Sequence, residues 1–352
     1  MEIRIVESAD DISDWDNYVG LHPGASPYHR YAWQLSVTSA YDHPCLPLMA
    51  VDGDAVVGIL PVVIMRMPII RDRATSLPYC DLGGVLANDD LIAEELLQRA
   101  LSACAKEGVG GFEIRQPAGP TCLPENELVG QKVRMLLPLP GSSEQLSTSF
   151  KSKLRSQINK SKKNGLTAEL GFGEPSTELL EQFYEVYSIN MHALGSPVHD
   201  REWFRSIARN FGKDCIIGIV HHEQQPVGGG IVLRNACNAS IPWASTIAEF
   251  NPLAPNMLLY WTLLEYCADN GVTEFDFGRS TYGEGTYRFK SQWGAKPQLL
   301  CWQQYFEGKK LDPQHSKAGK IGLRSQIESC WRMLPLPVTT WAGPKIRKYI
   351  SL

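Results

Sequence analysis

Two stretches of this chain match each other without a gap. Cys104-Ala-Lys-Glu-Gly-Val-Gly-Gly-Phe-Glu-Ile114 aligns with Cys267-Ala-Asp-Asn-Gly-Val-Thr-Glu-Phe-Asp-Phe277. Each reads as the end of a helix, a glycine that tolerates positive φ, and a short strand. Hairpin signals precede both. In the first half they are Leu46 to Val51, the turn Asp52-Gly53-Asp54, and Ala55 to Met65; in the second, Ile216 to His221, a polar turn from Glu223 to Pro226, and Val227 to Leu233. The order predicts an internal duplication of a small α/β (α+β) unit with a mixed sheet. A length of 352 residues fits two such domains. The two copies are expected to share a cleft, a favoured place for ligands.

The second copy carries the densest chemistry. Asn256 follows Pro255 and is expected to cap a helix with its side-chain oxygen. Met257, Trp261, Leu264 and Ala268 recur at helical spacing, and Gly271 ends the run. From Thr273 to Phe277 the pattern alternates as in a strand, with Phe275 and Phe277 on one face and Glu274 and Asp276 on the other. A Gly-rich loop is predicted next, holding Arg279, Tyr282, Tyr287, Phe289 and Lys290. A polar loop at the carboxyl end of a strand is a common way to build a site in an α/β sheet.

Composition excludes several classes. No apolar run reaches the roughly 18 residues that span a bilayer; Val56 to Ile70 is interrupted by Pro61, Arg66 and Pro68. The start lacks the basic and apolar regions of a signal peptide. Nine cysteines occur without a Cys-x-x-Cys pair, so neither a metal site nor a disulfide framework is expected, and a cytoplasmic setting is the simplest. No Gly-x-Ser-x-Gly elbow or Walker loop is present.

Two basic regions stand out. Between the copies, residues 151–165 read as a helix with Lys153, Arg155, Lys160, Lys162 and Lys163 around an apolar pair, Leu154 and Ile158. It reads either as a solvated linker helix or as a clamp for phosphates of a nucleotide, lipid pyrophosphate or RNA. From Lys309 onward nine Lys or Arg stand against two acids, and Trp331 and Trp341 are interleaved with the cations. That tail suits either a solvated surface helix or peripheral contact with a bilayer carrying a lipid-linked acceptor.

These pieces together resemble the FemAB family. The resemblance rests on the basic helix, the hairpin with Pro226-Val227-Gly228, Phe275-Asp276-Phe277-Gly278, and Gly285-Thr-Tyr287-Arg-Phe289-Lys290-Ser-Gln-Trp-Gly294, which fills the family pattern Gly-x-Tyr-x-Phe-Lys-x-x-x-Gly. The wording Phe-Asp-Phe-Gly-Arg-Ser is similar to a FemAB-related branch associated with exopolysaccharide and PEP-CTERM exosortase systems. The resemblance implies two tandem GNAT-like domains, set at 1–145 and 146–308 with the tail at 309–352. It also implies an N-acyltransferase that passes an aminoacyl or acyl group to an amine of a cell-envelope precursor, peptidoglycan or exopolysaccharide. No bound cofactor is implied; the donor is aminoacyl-tRNA or acyl-CoA. Phe289 and Lys290 fall at the family's catalytic pair, where an ammonium can steady a tetrahedral oxyanion. Two departures bear on the substrate. The early helix, Trp33 to Val37, offers no lysine, and Asn190-Met-His192-Ala-Leu-Gly195 offers no arginine, at places where the family holds a nucleotide pyrophosphate.

Other residues have more than one reading. Asp276 is a candidate base, a structural partner of Arg279 or the cap of a turn. Arg279, Tyr282 and Tyr287, with Arg155, Lys153, Lys160 and His192, are the candidate substrate-binding set. His192 and His199 flank a Gly-Ser-Pro turn, and they read as part of a mobile lid, as a general base or as plain surface. Gln225-Pro-Val-Gly228-Gly-Gly230 fits a short acetyl-CoA wording but leads into a strand, whereas a pyrophosphate loop should open a helix. An acyl-CoA-dependent enzyme and a non-catalytic protein binding RNA or anionic lipid remain the alternatives.

Overall fold

A computed structural model describes residues 1–68, 70–118, 125–311 and 321–352. In chain order the elements begin with β1 (Glu2–Ile5), α1 (Ala9–Leu21), α2 (Tyr31–Tyr41), β2 (Leu48–Asp52), β3 (Ala55–Leu60), β4 (Val63–Met65), β5 (Arg73–Thr75), β6 (Leu86–Ala87), α3 (Asp90–Lys106) and β7 (Gly111–Pro117). Then come α4 (Glu125–Leu128), β8 (Lys132–Pro138), α5 (Ser143–Ser149), α6 (Ser152–Lys163), β9 (Leu166–Phe172), α7 (Thr177–Leu194), α8 (Arg201–Phe211), β10 (Cys215–His222), β11 (Gln225–Asn235) and β12 (Asn238–Thr246). The chain closes with α9 (Pro255–Asp269), β13 (Glu274–Thr281), α10 (Gly285–Ser291), β14 (Lys296–Phe306), β15 (Lys309–Lys310), α11 (Ile321–Met333) and α12 (Leu336–Arg347).

Two compact units form, and both are discontinuous in sequence. One comprises Met1–Cys122, Leu299–Gly319 and Lys348–Leu352; the other Leu123–Gln298 and Lys320–Arg347. The division expected at 145/146 and 308/309 differs from this because β8 pairs β13 within the second unit while β14 pairs β7 within the first. Strand pairing of this range leaves no trace in local sequence pattern. The basic tail likewise divides. Its helices α11 and α12 pack on α7 in the second unit, and its last five residues belong to the first. Residues 312–320 of the expected tail lie outside the described residues.

In the first unit, β1, β2, β3 and β6 form an antiparallel sheet in that order. A second sheet runs β4, β5, β7, β14, with β5 and β7 parallel. The expected Ala55–Met65 strand is broken into β3 and β4 at Pro61, which has no N–H for a ladder. The core gathers Leu48, Ala50, Leu60, Phe112 and Ile114 under Leu96, Ala100 and Cys104 of α3. Arg115 is a fully buried hub. Its guanidinium pairs with Glu113 at 2.7 Å and donates to Cys80 O at 2.8 Å and to Ser351 Oγ at 2.8 Å. It thereby ties the chain's end to the strand that matches β13.

In the second unit the order is β8, β13, β12, β11, β10, β9, antiparallel throughout except β12 with β13. Helix α9 is the crossover between those two parallel strands. It is buried nearly all round through Met257, Leu259, Tyr260, Trp261, Leu263, Leu264 and Cys267, rather than on one face alone. Asn256 is not its cap. Pro255 occupies the first turn, Ala254 precedes it at φ 64°, and no side chain caps the end. On the other side of the sheet, Phe183, Tyr187, Phe204, Trp203 and Trp243 form an edge-to-face cluster with ring centroids 5.1–6.1 Å apart.

His199 lies inside that cluster, stacked on Trp203 at 5.6 Å. The predicted lid residue is therefore a core residue. Burial, together with the Arg347 charge, holds its imidazole well below the usual histidine range. In the unfolded chain it titrates near its ordinary value of 6.5. The unfolded state thus binds the extra proton first. Stability is complete above that value and falls as pH drops through it, by up to about 1.4 kcal/mol per pH unit. Chemical denaturation between pH 7 and 5 should show this loss, and His199→Phe should reduce the slope. An unchanged slope in the variant would mean that the buried ring does not set it.

Candidate functional site

Strands β12 and β13 meet only at Asn238↔Glu274, Ala239↔Phe275 and Ser240↔Asp276. Past that point β12 continues to Thr246 against β11, and β13 continues to Thr281 against β8. The two parallel strands therefore splay, and the gap opens at their carboxyl ends. That is where an α/β sheet ordinarily receives a ligand. No sequence pattern signalled the splay, because pairing register is a property of two strands at once.

β13 is bulged at the gap. Its register against β8 shifts between Asp276 and Arg279, and Gly278 sits at φ 74°, a conformation that glycine adopts without a Cβ penalty. The Asp276 carboxylate accepts from Gly278 N–H at 2.8 Å, and its other oxygen lies 3.6 Å from Arg134 Nη1 on β8. Arg134 in turn donates to Gln298 at 2.6 Å. Asp276 is buried and engaged in holding the bulge. Of the structural roles open from sequence, the carboxylate takes the turn cap at Gly278, and Arg134 lies beside it.

Lys290 reaches the same bulge. Residues 285–291, expected as a loop, form helix α10, which the three glycines at 278, 283 and 285 obscured in the sequence. α10 aims the Lys290 side chain inward, where its ammonium donates to Gly278 O at 3.0 Å and Arg279 O at 2.8 Å. The group is buried, not a surface lysine. Phe289, next to it, packs on Tyr260 at 5.1 Å and on Trp293 at 6.3 Å. Trp293 is itself enclosed by Phe150, Tyr260 and Phe277. Phe289 thus wedges α10 in place. Tyr282, on the turn after β13, and Tyr287, in the first turns of α10, stand with rings 4.5 Å apart.

The remaining candidates fall elsewhere in this unit. α6 is a helix as expected, seated by Leu154 and Ile158, with Lys153, Arg155 and Lys160 exposed. Ser152, Arg155, Ser156, Asn159, Lys160 and Lys163 line an open depression of about 510 Å³ along its outer face. Asn164, at the end of α6, donates to Leu253 O at 3.1 Å in the 3-10 turn that leads into α9. The cationic last turn of α6 is thereby tied beside the start of α9. His192 is not brought to the bulge; its Nε2 lies 2.8 Å from Leu334 O, between α11 and α12. Sequence reasoning missed Asn190 as a contact of the sheet: its Nδ2 donates to Ser245 Oγ on β12 at 3.1 Å.

Gln225 to Gly230 lies within β11, not at a helix start. Cys45 and Cys104 are pushed up to about 11 by burial, and Cys215 and Cys267 to about 12, so none of these four is a thiolate near neutral pH.

A mixed sheet with hairpins on one side, a buried crossover helix and two splayed parallel strands defines the GNAT class of acyltransferase folds. Residues 148–291 match the family described as the acetyltransferase (GNAT) domain. Among solved structures the chain is similar to FemX, at 15% identity and TM-score 0.68, over 88% of this chain and 98% of that one. It is similar to L-PGS from Bacillus licheniformis, at 12% identity and TM-score 0.55, over 100% of both chains. A tandem GNAT protein from the clavulanic acid biosynthesis pathway aligns over 88% of this chain and 99% of its own, at 14% identity and TM-score 0.52. No curated protein sequence matches. The chain has the FemAB-like tandem GNAT fold. The domain class carries acyl transfer. Among the described residues no helix is long and apolar enough to cross a membrane.

Proposed function

We propose that this chain is an N-acyltransferase that passes an aminoacyl or acyl group to an amine on a cell-envelope precursor, with Lys290 at the reaction centre. The carrying observation is the buried ammonium held on a β-bulge beside the open ends of β12 and β13. In the reaction the acceptor nitrogen attacks the acyl carbon. A C–N bond forms, and the C–O bond to a tRNA ribose, or the C–S bond to CoA, breaks. The amine gives up a proton and the leaving group takes one. Negative charge builds on the acyl oxygen meanwhile, and a fixed ammonium lowers the cost of that charge. We assign Asp276 to maintaining the bulge rather than to base work, and Phe289 to placing the Lys290 stem. Arg279, Tyr282 and Tyr287 are assigned to the acceptor.

Aminoacyl-tRNA is the donor we favour. The start of α9 is poorly suited to a pyrophosphate, because Pro252 and Pro255 lack N–H groups and Met257 N–H is already bonded to Ala254 O. The cationic end of α6 lies beside it and is suited to an RNA backbone. Lys160→Glu with Lys163→Glu should weaken tRNA binding and lower the salt slope by about one per side chain. An unchanged slope, or thermal stabilisation by acyl-CoA and not by tRNA, would point to the acyl-CoA alternative. The sequence resemblance to the FemAB family and its exosortase-associated branch supports an envelope acceptor, either peptidoglycan or exopolysaccharide.

A further inference from the structure

Helices α11 and α12 are seated by their backs. A Cβ on Gly195 would lie 2.5 Å from Glu328 O of α11, and one on Gly343 of α12 would lie 2.7 Å from Val198 Cγ2. Both glycines thus allow close approach of the helix pair to the second unit. On α12, Thr339 and Gly343 are buried, while Val338, Trp341 and Lys345 lie on the opposite side at helical spacing. Among the described residues nothing covers that outward face. Trp341 is 68% exposed there, and on α11 and the link that follows it Ile327, Met333 (84%) and Leu334 are exposed as well. An apolar concentration of this kind on consecutive helices marks an interaction surface.

Its charge selects the occupant. Among the described side chains of these two helices the exposed charges are cationic, Arg332 and Lys345, while the one acid, Glu328, is half-buried. The Lys345 ammonium lies 3.5 Å from the Trp341 ring centroid, so cation and aromatic share one spot. A second copy would bring like charges together. An anionic bilayer accepts both parts: apolar side chains enter the headgroup boundary, tryptophan prefers that depth, and lysine and arginine meet lipid phosphates. We infer that the outward face of α11 and α12 docks on an anionic lipid surface. The inference goes beyond the acyl-transfer reading and does not depend on it.

Co-sedimentation of the full chain with vesicles of phosphatidylglycerol and phosphatidylcholine, against phosphatidylcholine alone, tests it. Binding should require phosphatidylglycerol. Trp341→Ser should weaken it about tenfold through lost apolar burial. Arg332→Glu and Lys345→Glu should each weaken it at least fivefold, from roughly 1 kcal/mol per surface cation. Leu21→Ser removes a still more exposed leucine from α1 and should change nothing. The inference is overturned if the chain ignores phosphatidylglycerol vesicles, if the Trp341 and Lys345 variants bind as the parent does, or if the parent instead self-associates in sedimentation velocity and Trp341→Ser abolishes that association.

Discussion

Lys290→Met should reduce acyl transfer by about a hundred- to a thousandfold, the loss expected when one preorganised oxyanion donor is removed. Methionine keeps most of the stem that packs beside Phe289 but carries no charge and no N–H donor. The structure adds a second consequence. Gly278 O and Arg279 O each accept from the ammonium, so the substitution leaves two backbone acceptors short of a donor. A stability cost of about 1–3 kcal/mol should accompany the kinetic loss. The two effects separate by measurement. Folded Lys290→Met protein, counted by denaturant titration, should still show the full kinetic deficit per folded molecule. If activity falls only in proportion to the folded fraction, Lys290 is a strut for the bulge and takes no part in the chemistry.

Arg115→Leu should be strongly destabilising, at about 2–4 kcal/mol, less than a fully buried charge pair would cost because Glu113 is part-exposed and keeps Gln304 as a donor. Glu113 would lose its partner at 2.7 Å, and Cys80 O and the Ser351 backbone and side-chain oxygens would lose donors. The damage should centre on the first unit, since Glu113, Cys80, Ser351 and Arg115 all belong to it. Thermal unfolding should then divide into two transitions, with the lower one displaced by about 10 °C or more. Adding Glu113→Gln should recover part of the loss, because the carboxylate left without its partner is itself a penalty. A single transition near the parent midpoint would show that the hub contributes little.

Much of the second unit was legible in the chain. The apolar run through Met257, Trp261 and Leu264, the glycine after it and the alternating Phe275-Asp276-Phe277 are local signals, and α9 and β13 appear where those signals place them. The basic α6 was legible for the same reason. The repeat also placed Glu113 and Asp276 at equivalent strand positions. Each holds an arginine in the structure: Arg115 two residues along the same strand, and Arg134 on a neighbouring one.

What sequence could not supply is what depends on partners far along the chain. Asp276 and Arg134 lie 142 positions apart in sequence on paired strands, Asp276 facing Leu136 and Arg279 facing Arg134. The splay of β12 from β13, the exchange of β8 and β14 between units, and the burial of His199 are all of this kind. α10 was missed for another reason. Seven residues opened by a glycine and preceded by two more carry too little helical periodicity to outweigh turn chemistry.

The central claim is that the second unit transfers an acyl group to an amine through a site steadied by Lys290. Mass spectrometry tests it most directly. Envelope-precursor extracts would be incubated with the purified chain, a mixture of aminoacyl-tRNAs and acyl-CoAs, or with its Lys290→Met variant in parallel. An amine-bearing precursor should gain the mass of one aminoacyl or acyl group with the parent and scarcely any with the variant. A product that accumulates equally fast with both proteins would contradict it.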